Sequence, residues 1–372
     1  MRPAWIEIRK DSLKKNIKSL KGCTEDHVEL MGVIKADAYG HGALGVFEVL
    51  AEVGVNRFAV VMVEEGIQLR EYGVNNPILI LGHSPLEDYE DIIDYELTPV
   101  IYKITQAEKL NEVAIRKNMK ANIHIKIDTG MGRLGFLPIP ESVDDIESIS
   151  KLTNIRIEGI YSHLATADDI DNPFVYSQLK DFNYVLGELE KRGVIIPLRH
   201  LANSAATINY KETHFDMVRP GTSIYGLYPS LKMKLNPTVK LEPAMSIKAK
   251  LVHIKKINKG DSLSYGRTFI AKRDSIIGVV PLGYVDGVFR KLANKGSVLV
   301  AGKRCPIVGT ICMDQLMIDL TDLGNVEAGD EVVILGRQGN EVISAEEIGE
   351  LADTISIEVV TRLGNRMPIF YV

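Results

Sequence analysis

The stretch Val33-Ile34-Lys35-Ala36-Asp37-Ala38-Tyr39-Gly40-His41-Gly42 ends an apolar, β-like run with a lysine and a glycine-rich turn. An amine just past a buried strand is partly desolvated, which disfavours its charged form, lowers its pKa and makes it nucleophilic toward a carbonyl. Most lysines are simply solvated, so Lys35 gains meaning only from its surroundings. From residue 28 to about 230, β-branched runs alternate with amphipathic stretches. Strands are expected at 28–34, 57–62, 77–81, 97–101, 121–127, 155–161, 198–202 and 215–219, and helices between them, for example at 43–53, 64–72, 105–118 and 174–192. Eight such units predict a closed parallel (β/α)8 barrel rather than an open sheet.

After about residue 235 the pattern changes. Residues 244–254 alternate toward period two, and strand-like runs follow at 276–282, 297–301, 306–312, 317–320 and 331–335, separated by Gly and Asp turns. The expected organisation is therefore a barrel over 1–235 and a β-rich domain over 236–372, with the first ten or so residues packed on the second domain. One helix is expected there, at 344–351, where Ser344 and Glu347 form a capping box. Near-balanced charge, with 44 basic and 49 acidic residues, argues against nucleic-acid or membrane-surface partners and for a small molecule. Three cysteines without ligand spacing, no apolar leader and no membrane-length apolar run point to the cytoplasm and to no metal site.

A barrel gathers functional residues at the C-terminal ends of its strands. Lys35 follows the first strand, Lys126 and Arg133 end or follow the fifth, His163 ends the sixth, Asn203-Ser204 the seventh and Arg219-Pro220-Gly221 the eighth. Singly, each has a bland explanation: a core histidine for His163 or His200, a rim charge for Arg219, a helix N-cap for Ser204. Five strands delivering such groups to one rim is a different matter. Ser204 and the amides after Gly221 also lie at strand-to-helix turns, which suit an anion. With no GxxxxGK[ST] or GxGxxG pattern, phosphate on the last barrel strands is favoured over a nucleotide.

The motifs occur in the order VIKADAYGHG (33–42), HIKIDTGMGRLG (124–135), YSHLATAD (161–168), HLANSA (200–205), RPG (219–221), SYGR (264–267), GYVDG (283–287) and ICMDQ (311–315). This ordered set resembles the alanine racemases, enzymes of pyridoxal phosphate (PLP) fold type III. The resemblance implies a PLP-binding barrel, a β-rich second domain and a homodimer whose sites are shared between chains. It implies that Lys35 is the Schiff-base lysine and one base, and that Tyr265 of the partner chain is the other. Tyr39, His163, Asn203, Ser204, Arg219, Gly221 and Thr222 would hold the cofactor, while Arg133, Met313 and Tyr284 would serve the substrate. His163 and Arg133 would also stabilise a Tyr265 phenolate. Arg219, buttressed by His200, would face the pyridine nitrogen. Lys126, N-carboxylated in many family members, would orient Arg133, with Asp314 in support. The implied activity supplies D-alanine for peptidoglycan.

One departure is visible. Where the family commonly shows Tyr-Glu-Val, this chain has Ile357-Glu358-Val359, which removes a hydroxyl and leaves room for a substrate larger than alanine, such as serine. A fold-type-III decarboxylase should carry an acid in place of Arg219, and a non-catalytic PLP carrier would lack the residues after 235.

Overall fold

The computed structural model describes residues 3–364 and 366–372; Met1 and Arg2, which open the segment read for a leader, lie outside them. The described chain forms two compact units. One comprises Leu13–Ala38 and Ala43–Glu242, the other residues 3–12, Tyr39–Gly42 and Pro243–Val372.

Strand β1 (Ala4–Ile8) belongs to the second unit. The barrel strands are β2 (Glu29–Val33), β3 (Arg57–Val60), β4 (Ile78–Ile80), β5 (Thr98–Ile101), β6 (Ala121–Lys126), β7 (Ile155–Tyr161), β8 (Leu198–His200) and β9 (Met217–Val218). They form one eight-stranded sheet in the order β8-β7-β6-β5-β4-β3-β2-β9, each pair parallel. Backbone bonds from Asp216 N to Arg199 O and from Arg219 N to Ala202 O, both 3.0 Å, link β8 to β9 and nearly close the barrel. Strands covered on both faces read as continuous apolar runs; β4 and β5 are buried at every residue. The last two strands are shorter than expected because Asn203 caps the next helix and Pro220 cannot donate to a ladder.

Helices Ala43–Glu52, Val63–Glu71, Ile104–Arg116 and Phe174–Lys191 occupy the expected stretches. The last buries Val175, Gln178, Phe182, Val185 and Leu189 on one face. The turn after β2 is a left-handed helical turn: Ala36, Asp37, Ala38 and Tyr39 have φ of 52°, 50°, 53° and 56°.

In the second unit, β1 lies between β10 (Met245–Lys250), antiparallel to it, and Ile369–Tyr371, parallel to it, within a seven-stranded sheet. A three-stranded sheet joins His253–Ile257, Ser275–Val280 and Leu316–Asp319. Two expectations need correction. The strand expected at 306–312 is Lys303–Pro306, after which only an isolated bridge between Ile307 and Ile318 remains, and Gly309 at φ 77° turns the chain out of the ladder. Helix Ala345–Ala352, whose Ser344 hydroxyl accepts from Glu347 N at 3.2 Å, is followed by a second helix, Ser356–Arg362. Its β-branched sequence Ile-Glu-Val-Val-Thr lacks helical propensity, and packing overrides it. Among the described residues no helix is long and apolar enough to cross a membrane.

Candidate active site

The C-terminal ends of the barrel strands carry the expected residues. Lys35 follows β2; burial, then the charge of Arg133, lowers its pKa, and Glu65 opposes them. Glu65, absent from the sequence reading, joins two turns of this rim. One carboxylate oxygen accepts from Ala36 N at 2.5 Å, the other from Val61 N at 2.8 Å and Met62 N at 3.1 Å. An acid three residues into the helix after β3 is the usual signal for such backward capping.

Lys126 ends β6, is 5% exposed, and sits over the Tyr161 ring with Nζ 4.2 Å from its centre. Burial, then Arg219 and Arg133, pushes its pKa well below the ordinary lysine value. Asp128 shapes the following loop by accepting N–H bonds from Gly130 (3.0 Å), Gly132 (3.0 Å) and Arg133 (2.9 Å), which fixes the backbone that presents Arg133. Tyr161, quoted in a motif but given no role, stacks on His200 with centroids 4.8 Å apart and planes 6° from parallel, while the Arg219 guanidinium lies 4.8 Å from its centre.

His163 follows β7. Burial lowers its pKa well below the ordinary value, and Lys126, Arg219, Arg133 and Lys35 add to the effect. Four basic side chains therefore act on one imidazole, which is a setting for an anionic ligand. Arg219 is buried; its guanidinium donates to His200 Nδ1 at 2.8 Å, Ser162 O at 2.7 Å and Leu201 O at 3.3 Å. Burial lowers its pKa to about 10, which leaves it cationic at neutral pH. Asn203, rather than Ser204, is the N-cap of helix Ser204–Asn209 and accepts from Ala206 N at 3.0 Å. The Ser204 hydroxyl accepts from Gly221 N (2.8 Å) and Ser223 N (3.4 Å), so its own proton points elsewhere, and Thr222 opens the next turn.

The remaining candidates belong to the second unit. Burial pushes the Tyr39 phenol up to about 12, so it is a neutral donor. The loops carrying Tyr265, Tyr284 and Met313 adjoin one another. Thr310 Oγ1 donates to Tyr265 O at 2.9 Å, Tyr284 N to Cys312 O at 3.0 Å and Val285 N to Met313 O at 3.1 Å. A Cβ at Gly283 would stand 2.2 Å from Met313 O, so only glycine permits this approach. Tyr265 is 72% exposed and Met313 52%. Asp314 pairs with Arg366 at 3.0 Å.

Two family models match the chain: "Alanine racemase, N-terminal domain" over residues 8–229 and "Alanine racemase, C-terminal domain" over residues 244–371. Alanine racemase 1 of Clostridium acetobutylicum is 45% identical over 372 residues, covering 100% of this chain and 96% of its own length. A Bacillus anthracis alanine racemase solved with bound L-Ala-P superposes with a TM-score of 0.95 at 35% identity, covering 100% of this chain and 95% of that one. A Bartonella henselae alanine racemase with covalently bound pyridoxal phosphate does so with a TM-score of 0.87 at 29% identity, covering 100% of both.

Proposed function

The chain belongs to the alanine racemase family, and we propose that it interconverts L- and D-alanine with pyridoxal phosphate at its barrel mouth, Lys35 and, from the second chain of a dimer, Tyr265 acting on opposite faces of Cα. The carrying observation is the cluster of basic side chains Lys35, Lys126, Arg133 and Arg219 about His163, whose charge, carried by the two arginines, fits a phosphorylated cofactor together with a carboxylate substrate. Lys35 would hold the cofactor covalently. Tyr39, Ser204 and the amides of the 221–223 turn would hold its phosphate, with Asn203 and Thr222 beside it.

When bound, pyridoxal phosphate supplies the electron sink that acidifies the Cα proton. Lys35 Nζ, its pKa already lowered by burial, accepts or returns that proton on one face. On the other face Tyr265 of the second chain would do so. Arg219, cationic at neutral pH, would face the pyridine nitrogen and disfavour protonation there, which would limit side reactions. Arg133 and the Met313 amide would orient the substrate carboxylate, and Tyr284 would narrow the entrance. Lys126, whose pKa burial and then Arg219 and Arg133 push well below the ordinary lysine value, could in its amine form add carbon dioxide with release of a proton, giving a carbamate anion toward Arg133.

Tyr265, Tyr284 and Met313 expose large surfaces on adjoining loops, which is what a second copy of the chain would cover. The proposed assembly is a homodimer in the cytoplasm, its product D-alanine for peptidoglycan. Incubation with L-alanine or D-alanine and separation of the enantiomers should show both directions, and borohydride should fix the cofactor on Lys35. Label on another lysine, or no interconversion, overturns the proposal. Ile357 favours a wider range that includes serine.

A further inference from the structure

A chain of hydrogen bonds, buried over its inner links, runs from the far end of the barrel to Arg219. Arg57, which also donates to Glu29 at 2.7 Å, donates to one oxygen of Glu158 at 3.1 Å. The other oxygen of Glu158 lies 3.3 Å from His124 Nε2, His124 Nδ1 lies 2.8 Å from His200 Nε2, and His200 Nδ1 lies 2.8 Å from the Arg219 guanidinium. His124, His200 and Arg219 are 1%, 0% and 5% exposed.

Chemistry leaves this chain one arrangement. A guanidinium only donates, so His200 Nδ1 accepts and its proton sits on Nε2. His200 Nε2 then donates to His124 Nδ1, which places the His124 proton on Nε2, where only an acceptor can meet it. Glu158 is that acceptor, and as a carboxylate it takes a donor on each oxygen. Both ends of the chain are cationic donors, and Glu158 is the one group that reconciles them. The bond from His124 pulls the Glu158 carboxyl down to about 2, against the effect of its own burial, so it stays ionised.

The backbone is shaped for this contact. Ile123 of β6 pairs with Ile157 of β7, but His124 pairs with Gly159, so Glu158 is the extra residue of a bulge between parallel strands. Such bulges are rare in parallel pairs and re-aim side chains. A Cβ at Gly159 would stand 2.5 Å from the His124 ring, so glycine is what admits the imidazole.

We propose that Glu158 is a positioning residue for Arg219: through His124 and His200 it fixes the donor and acceptor polarity of the chain and so holds the guanidinium in place. Its consequence for turnover rests on the racemase reading above. Ring 15N NMR of the full-length protein tests it, with His124 and His200 identified by coupling across their shared N–H···N bond. In the wild type both rings should be neutral and protonated on Nε2. In Glu158→Met, Nδ1-protonated forms of both rings should gain population, and kcat should fall about 10–100-fold, as when an outer hydrogen-bond partner is lost. Glu158→Gln combined with Arg57→Met leaves one oxygen for one donor and should restore the Nε2 forms and most of kcat.

A wild-type ring found as imidazolium or protonated on Nδ1, or Glu158→Met rings unchanged from wild type, overturns the proposal. Should Glu158→Met fail to fold, the wild-type spectrum and the double variant still decide it. These signals do not depend on turnover, so a chain with the expected tautomers and no racemisation refutes the functional reading alone.

Discussion

Lys126, 5% exposed, sets its Nζ 4.2 Å from the centre of the Tyr161 ring. Burial first, then Arg219 and Arg133, drives its pKa well below the ordinary lysine value. Between that lowered pKa and about 10.4 the unfolded chain holds a proton that the folded chain has released, so stability rises with pH across this window. Lys126→Met should therefore raise the melting temperature of cofactor-free protein at pH 7, each unit of lowering being worth about 1.4 kcal/mol, and the gain should shrink toward pH 10. Bicarbonate should stabilise the wild type and leave Lys126→Met unmoved, because only the amine can form a carbamate. A wild type indifferent to bicarbonate would refute carboxylation of Lys126.

Ala36 tests the handedness of the turn that follows Lys35. In an ordinary helix Ala→Gly costs about 0.5–1 kcal/mol. Ala36 is exposed and has φ of 52°, where a Cβ is itself unfavourable by about 1–2 kcal/mol. Ala36→Gly should thus be neutral or stabilise by up to about 1 kcal/mol in urea unfolding. A clear loss would mean that the turn is right-handed in solution.

The barrel was legible because each of its strands is a short β-branched run ending at a polar rim, and eight such runs leave few alternatives. Its cationic rim residues were legible for the same reason. Glu65, Tyr161 and the Glu158–His124 pair were not. Glu65 reaches back across two turns, Tyr161 resembles any strand aromatic, and Glu158 faces His124 only because of a bulge that alternation does not announce. Helix Ser356–Arg362 was missed for the opposite reason, since its local sequence favours a strand and tertiary packing decides otherwise.

Tyr265 is 72% exposed on its own chain, which makes the shared site testable by mixing. Lys35→Ala and Tyr265→Phe should each be inactive alone. After subunit exchange, half the dimers are mixed and each regains one of two sites, so activity should approach about a quarter of the wild type in a two-fold dimer. Exchange shown by mass without any recovery would mean that each site is built from one chain.

Ile357 stands half-buried on helix Ser356–Arg362, where the family commonly has a tyrosine. A tyrosine hydroxyl touching phosphate would add only about 1 kcal/mol, so the cofactor should bind without it. Selectivity should respond more. Room for one hydroxyl or methylene changes discrimination by about 1–3 kcal/mol. The wild type should prefer alanine and accept serine measurably, and Ile357→Tyr should raise the alanine-to-serine ratio of kcat/KM by roughly tenfold or more on that scale. Competition between the two amino acids in one reaction, followed by separation of all four enantiomers, measures the ratio directly. A ratio that stays fixed, or moves toward serine, removes position 357 from the substrate pocket.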